Sequence, residues 1–326
     1  MNGNSPHSTP LGRDGKPPFS ITRREFLVLM AATGTSMMLP AFGFGAPLEN
    51  PIHTRPIPST GDVLPAIGLG SWITFNVGFD PAARNTCAQV MDHFFKAGGR
   101  IIDSSPMYGS SQEVIGYGLE KLGRRSQVFS ADKVWTAFDS EGPSQIEESR
   151  KEWKVPRFSL LQVHNLLSWE AHLKTLFAMK EAGRLGYVGI TTSHGRRHDE
   201  FERIMRTQPL DFVQFTYNVV DREAEKRLLP LAKDRGMAVI INRPFRQGRL
   251  IDFVQRHPLP DWAPEIDCAN WAQILLKFII SHPAVTCAIP ATRQVDHVVE
   301  NMGALHGRLP DADLRRRMIV HVENLS

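Results

Sequence analysis

Eight short apolar runs alternating with eight amphipathic stretches predict a closed (β/α)8 barrel, the TIM-barrel architecture. Three observations carry this prediction. The two signals alternate regularly from Ala66 to about residue 305. Turn chemistry at Pro58-Ser59-Thr60-Gly61-Asp62, between short extended pieces, places a hairpin ahead of the first repeat. No G-x-G-x-x-G follows the first strand, which counts against the alternative, an open doubly wound sheet. A chain of 326 residues has room for one large domain or two small ones.

In chain order, residues 1–20 are polar, with Pro and Gly, and read as disordered. Arg23-Arg24 follows, ahead of a charge-free apolar segment from Phe26 to about Phe44. Positive charge, an apolar core and a small-residue end predict a cleaved secretory signal. The paired arginines before Glu25-Phe26-Leu27 resemble a twin-arginine export signal. A plain membrane anchor is the alternative, but Thr33, Gly34, Thr35, Ser36 and Pro40 make the core weakly apolar and short. Cleavage is expected between Gly43 and Pro47. This divides the chain into residues 1–46, tail and signal, and 47–326, the folded barrel. The twin-arginine machinery is then a partner, and the destination is periplasmic or secreted.

The expected strands are Ala66–Leu69, Arg100–Ile102, Val128–Ala131, Ser159–Val163, Tyr187–Ile190, Phe212–Phe215, Ala238–Ile241 and Val285–Ile289. Helical patterns lie near 83–97, 111–122, 144–153, 169–182, 198–206, 222–235, 269–281 and 294–305. The second helix reads as opened by a Ser110–Glu113 capping box, with Ile115, Leu119 and Leu122 on one face. The fourth reads as capped by Ser168 and ended by Gly183.

The composition, 42% hydrophobic and 22% charged, is that of an ordinary globular chain. A net charge of +4 is too small to argue for nucleic acid, and Arg315-Arg316-Arg317 reads as a solvated helix face. Cys87, Cys268 and Cys287 are far apart and have no zinc spacing, so buried thiols are expected, with no metal. His93, His172 and His198 sit in helical patterns and read as surface residues. The oligomeric state is not legible.

Asp103, Lys133 and His164 each stand at the carboxyl end of an expected strand, and Tyr108 stands on the loop after one. In a closed barrel those ends converge on one face. The run Asp103-Ser104-Ser105-Pro106-Met107-Tyr108-Gly109-Ser110-Ser111-Gln112-Glu113 resembles the aldo-keto reductase signature. Val128–Val134 resembles the family's lysine strand, and Leu160–Asn165 its histidine strand. The resemblance covers about residues 55–320.

The resemblance implies hydride transfer between a nicotinamide and a carbonyl carbon. Tyr108 would be the general acid, Lys133 would lower the pKa of its phenol from about 10, Asp103 would keep Lys133 charged, and His164 would hold the carbonyl oxygen. It also implies that the hairpin is an N-terminal β-hairpin plug. Cofactor contacts are carried over to Thr191 and Thr192, where the family has a Ser-Asn pair, and to Gln214 for the carboxamide. Asn242 stands where the family stacks an aromatic, so Tyr217 is the candidate stack, and Arg243 replaces a serine and can reach a phosphate. Thr292, Arg293, Glu300 and Asn301 resemble the adenosine-binding segment, which favours NADP over NAD. The substrate would be a small-molecule aldehyde, ketone or alcohol. Trp72, Trp135 and Trp262 are candidates to line its pocket. A second reading is a cofactor-binding sensor or accessory protein on the same barrel, with little turnover.

Overall fold

The computed structural model describes residues 51–325. The expected tail, twin-arginine segment and cleavage point lie outside the described residues. A two-stranded antiparallel hairpin comes first, β1 (Thr54–Pro56) and β2 (Val63–Pro65), with Arg55 opposite Leu64. An eight-stranded, all-parallel sheet follows in sequence order: β3 (Leu69–Gly70), β4 (Ile101–Asp103), β5 (Phe129–Val134), β6 (Phe158–Val163), β7 (Leu185–Thr191), β8 (Phe212–Thr216), β9 (Ala238–Asn242) and β10 (Cys287–Ala288). Its two edges meet. Parallel bridges pair Ile67 with Ala288 and Gly70 with Ala291, and the Gly68 N–H donates to the Ala288 carbonyl at 2.8 Å. Curling the sheet until its edges pair removes the open edges of this eight-stranded sheet.

The helices are α1 (Pro81–Lys96), α2 (Ser111–Leu122), α3 (Gly142–Trp153), α4 (Trp169–Glu181), α5 (His198–Thr207), α6 (Leu228–Asp234), α7 (Arg249–Val254) and α8 (Trp271–Ile280) between strands, and α9 (Val295–Gly303) and α10 (Ala312–Asn324) after the last strand. Two of them lie outside the eight expected patterns: α7, and α10, of which only the Arg315–Arg317 helix face was expected. Leu250 and Val254 bury one face of α7, and Leu314, Met318 and Val322 bury one face of α10. The sixth helix is shorter than its pattern. Pro230 would clash with the carbonyl four residues back in any helix spanning 226–230, so α6 starts at Leu228 after a separate 3-10 turn, Glu223–Glu225.

Neither expected N-cap forms. The Ser110 hydroxyl donates to Asn76 Oδ1 and accepts from the Gly78 N–H, while Glu113 pairs with Arg84 at 2.9 Å. The Ser168 hydroxyl donates to the Ala137 carbonyl instead of capping α4. In both cases a neighbouring loop outcompetes the local cap. Gly183 follows α4 with φ +70°, as expected of a helix-ending glycine. His172 is not a surface residue: it is buried, and its Nε2 lies 2.9 Å from the Thr136 carbonyl oxygen. Arg315 is not solvated either. It donates to Tyr217 Oη, to the Phe278 carbonyl and to Ser281 Oγ, and it pairs with Glu225 at 3.1 Å, which docks α10 onto the end of α8.

Side chains alternate across each strand. Ile101, Phe129, Ala131, Leu160, Tyr187, Phe212, Ala238, Ile240 and Cys287 form the inner cluster, joined by Ile57 and Leu64 from the hairpin segment. Ile102, Leu161, Val188, Val213 and Val239 face the other way and pack under the helices. The parity of the inner cluster, carried toward the carboxyl ends, puts Asp103, Lys133, Gln162, Gln214 and Asn242 inside. An apolar floor therefore gives way to a polar upper layer.

Candidate active site

The upper layer opens into a cavity of about 370 Å³ lined by Asp103, Tyr108, His164, Thr191, Thr192, Gln214 and Arg243, among others. Lys133 lies immediately behind it, fully buried. Its ammonium donates to Asp103 Oδ1 at 2.6 Å and to the Ser104 carbonyl at 2.7 Å, and it sits 5.3 Å from the centre of the Tyr108 ring. The other oxygen of Asp103 accepts from Gln214 Nε2 at 2.9 Å. Asp103, Tyr108, Lys133 and His164, separated by up to 61 positions in sequence, thus gather at one place because the ends of β4, β5 and β6 meet there.

The loop carrying Tyr108 is held from both sides. Gly109 has φ +61°, and a Cβ there would come within 2.4 Å of Asn76 Oδ1, so the turn requires glycine. Ser111 Oγ donates to the Tyr108 carbonyl at 2.8 Å. The His164 ring stands edge-on to the Tyr108 ring, with centroids 5.8 Å apart.

Electrostatics in this pocket follow from burial. Burial works against the Lys133 ammonium, but Asp103 and then Tyr108 outweigh it, so its pKa is above the ordinary value. Burial also pulls His164 down to about 3, helped by the charge of Lys133, so the imidazole is neutral. Its Nδ1 lies 2.8 Å from Ser105 Oγ, which itself accepts from the Met107 N–H at 3.3 Å. Ser105 thus occupies Nδ1, and among the described residues Nε2 has no hydrogen-bond partner, which leaves that nitrogen to the cavity. The Tyr108 phenol differs from the expectation. Burial raises its pKa above the ordinary value, and Lys133 only partly offsets this because Asp103 and Asp132 oppose it. The phenol is protonated throughout the neutral range, as a proton donor must be.

The other expected residues divide into two groups. Thr191 Oγ1 accepts from the Asn165 N–H at 3.2 Å, and Thr192 Oγ1 donates to the Arg196 carbonyl at 2.6 Å. Asn242 donates to the Thr192 carbonyl at 2.9 Å and accepts from Thr216 Oγ1 at 2.7 Å. Thr292, Arg293, Glu300 and Asn301 do not line the cavity. Thr292 and Asn301 are buried, the Thr292 hydroxyl accepting from the Gln294 N–H, while Arg293 and Glu300 are exposed. Tyr217 is not in the cavity either. The residue follows β8 with outward parity, so its ring packs against Phe278 and His282 and its hydroxyl donates to Glu225. Trp72 lines the cavity, but Trp262 packs against His321, away from the site, and Trp135 lies outside the lining.

Sequence reasoning missed Ser105, Asn165, Ser193, His194 and Arg196, all of which lie at this site. Ser105 stands within the Asp103–Tyr108 run, and the others follow directly on expected strands, so position alone could have flagged them. Around Arg243, which burial lowers in pKa, stand Arg196, Arg246 and Arg249. Among the described residues Arg196, Arg243 and Arg249 have no acidic partner within ion-pair distance. Half-buried Arg243, flanked by exposed Arg196 and Arg249, gathers positive charge without counter-ions, and the residues present therefore fit a dinucleotide phosphate.

Comparison with known proteins gives a consistent picture. A sequence model described as the Aldo/keto reductase family matches residues 66–318. The methylglyoxal reductase YeaE of Escherichia coli (strain K12) is 28% identical over 272 residues, covering 81% of this chain and 93% of its own. An NADH-specific methylglyoxal reductase from the same organism is 24% identical, over 82% of this chain and 98% of its own. An aldo/keto reductase from Klebsiella pneumoniae, solved in complex with NADP and acetate, superposes with a TM-score of 0.68 at 23% identity, over 81% of this chain and 92% of its own.

Proposed function

Since the chain belongs to the aldo/keto reductase family, we propose that it reduces an aldehyde or ketone to an alcohol, or runs the reverse, with NADP(H) and with Tyr108 as general acid. The observation that carries this reading is the buried Asp103–Lys133 pair, 2.6 Å apart, behind the phenol of Tyr108 and the neutral imidazole of His164. When bound, the nicotinamide supplies or accepts the hydride. Everything else falls to the chain. Nε2–H of His164 orients the carbonyl oxygen, Tyr108 gives that oxygen its proton, and Lys133 stabilises the phenolate left behind. Asp103 keeps the ammonium charged in a dry pocket.

Thr191, Thr192 and Gln214 would face the nicotinamide side, and Arg243 with Arg196 the phosphates. Thr292, Arg293, Glu300 and Asn301 would take the adenosine end. NADP complexes of the Klebsiella relative support NADP, while an NADH-specific relative keeps NAD in view. The hairpin would plug the closed end of the barrel: Ile57 and Leu64 pack with its interior, and Tyr187 Oη donates to Asp62 at 2.7 Å. The Arg23-Arg24 segment would direct twin-arginine export of the folded, cofactor-loaded protein. A reporter fused to residues 1–50 should leave the cytoplasm; its retention there would count against export.

Turnover of a nitrobenzaldehyde with NADPH tests the reaction. Tyr108→Phe should lower it by roughly 10²–10⁴-fold and leave NADPH affinity unchanged. Tighter NADH than NADPH binding, read by fluorescence, would reverse the cofactor assignment. The sensor reading draws support from Gln214, whose amide N–H goes to Asp103. It would prevail if NADPH bound tightly and no carbonyl turned over.

A further inference from the structure

Beside Lys133 on β5 stands a second buried acid with no part in the reaction described so far. Asp132 is completely buried, and by strand alternation its side chain leaves the barrel interior while that of Lys133 enters it. Its Oδ1 accepts the backbone N–H of Lys133 at 2.8 Å. Its Oδ2 accepts from Gln112 Nε2 at 2.5 Å, and the same nitrogen lies 2.9 Å from Ser149 Oγ on α3. Gln112 is in the first turn of α2, the helix that begins just after Tyr108 and Gly109. One carboxyl group therefore joins the strand that carries Lys133 to the helix that anchors the Tyr108 loop.

The charges around it are sparse. Lys133, Asp103 and Tyr108 act on it electrostatically from the barrel side of the strand, and its side-chain hydrogen-bond partner on α2 is neutral Gln112, itself bonded to neutral Ser149 of α3. Lys133 is already committed to Asp103. A negative Asp132 thus leaves the cluster with two carboxylates against one ammonium, and that excess opposes a phenolate at Tyr108. We propose that Asp132 is a positioning residue whose charge, acting through Lys133 and the Gln112 bridge, sets how readily Tyr108 gives up its proton. Protonated, it loosens the phenol; ionised, it tightens it. Burial pushes this carboxyl up to about 7, so the change falls in the neutral range.

The proposal rests on Tyr108 as the proton donor, and the test separates the two. In the full chain, pH profiles of alcohol oxidation with NADP⁺ are compared for the parent, Asp132→Asn and Asp132→Glu. The parent should show an inflection near pH 7 that Asp132→Asn lacks and Asp132→Glu restores. In Asp132→Asn the alkaline limb should move down by about one pH unit. A lower rate with both limbs unmoved would mean that Asp132 only braces the helix, and would overturn the proposal. Carbon NMR of aspartate-labelled parent reads the carboxyl without turnover; titration of Asp132 in the ordinary aspartate range would also overturn it. Should Asp132→Asn not fold, Gln112→Leu removes the bridge donor and should shift the near-neutral inflection upward; no shift counts against the proposal. Tyr108→Phe with full activity would instead remove the functional reading itself, and the proposal with it.

Discussion

Asp103 and Lys133 are exposed by only 3% and 0% of their side chains, and Lys133 depends on Asp103 to remain charged. Removing one partner leaves a buried charge with no counter-ion, whereas an exposed pair would barely register. Lys133→Met should destabilise the protein by roughly 3–5 kcal/mol in urea unfolding, well beyond what loss of an exposed pair costs. A loss typical of a surface pair would mean that water reaches the carboxylate. His164 illustrates how a site residue departs from its solution chemistry. Its position after β6 was legible in the sequence, but its neutrality was not, because that depends on the packing that removes it from water.

At the scale of elements, the contact between α2 and α3 decides where the Tyr108 loop sits. A Cβ at Gly116 would stand 1.8 Å from the Glu152 carbonyl oxygen, so the two helix backbones touch there. Gly116→Ala should force them apart and cost roughly 1–3 kcal/mol, read as a lower urea midpoint. An unchanged midpoint would show that the helices slide without strain. The carboxyl-terminal helix α10 depends on Arg315, which carries a set of polar contacts that a surface arginine would lack. Arg315→Met should lower stability by roughly 2–3 kcal/mol and leave NADPH binding intact. If cofactor binding fell as far as stability, α10 would belong to the site. The run of three arginines looked solvated because consecutive charges usually mark a solvated helix face. Which of the three faces the barrel depends on where the end of α8 lies, and no local pattern encodes that.

For the whole molecule, burial of His164 couples stability to acidity. Its pKa is about 3 in the folded protein, and the ordinary value is 6.5. Between those values the unfolded chain binds a proton that the native state refuses, so stability falls as pH drops from 6.5 toward 3. His164→Gln removes that penalty. The melting temperature of the variant should therefore fall less than that of the parent across this window. Parallel losses would mean that the ring is already charged in the native state.

Alternation of strands and helices, the three strand-end residues Asp103, Lys133 and His164, and Tyr108 on the loop after one of those strands were all legible in the sequence. They are local or periodic properties, and a closed barrel converts them directly into position. Other features came only from tertiary structure: the lost caps at Ser110 and Ser168, the outward turn of Tyr217, the arginines gathered around Arg243, and the direction in which the Tyr108 phenol shifts. Each depends on which distant backbone or charge arrives beside a residue. Competition for a hydrogen bond, and the removal of water, are settled only once the chain has closed on itself.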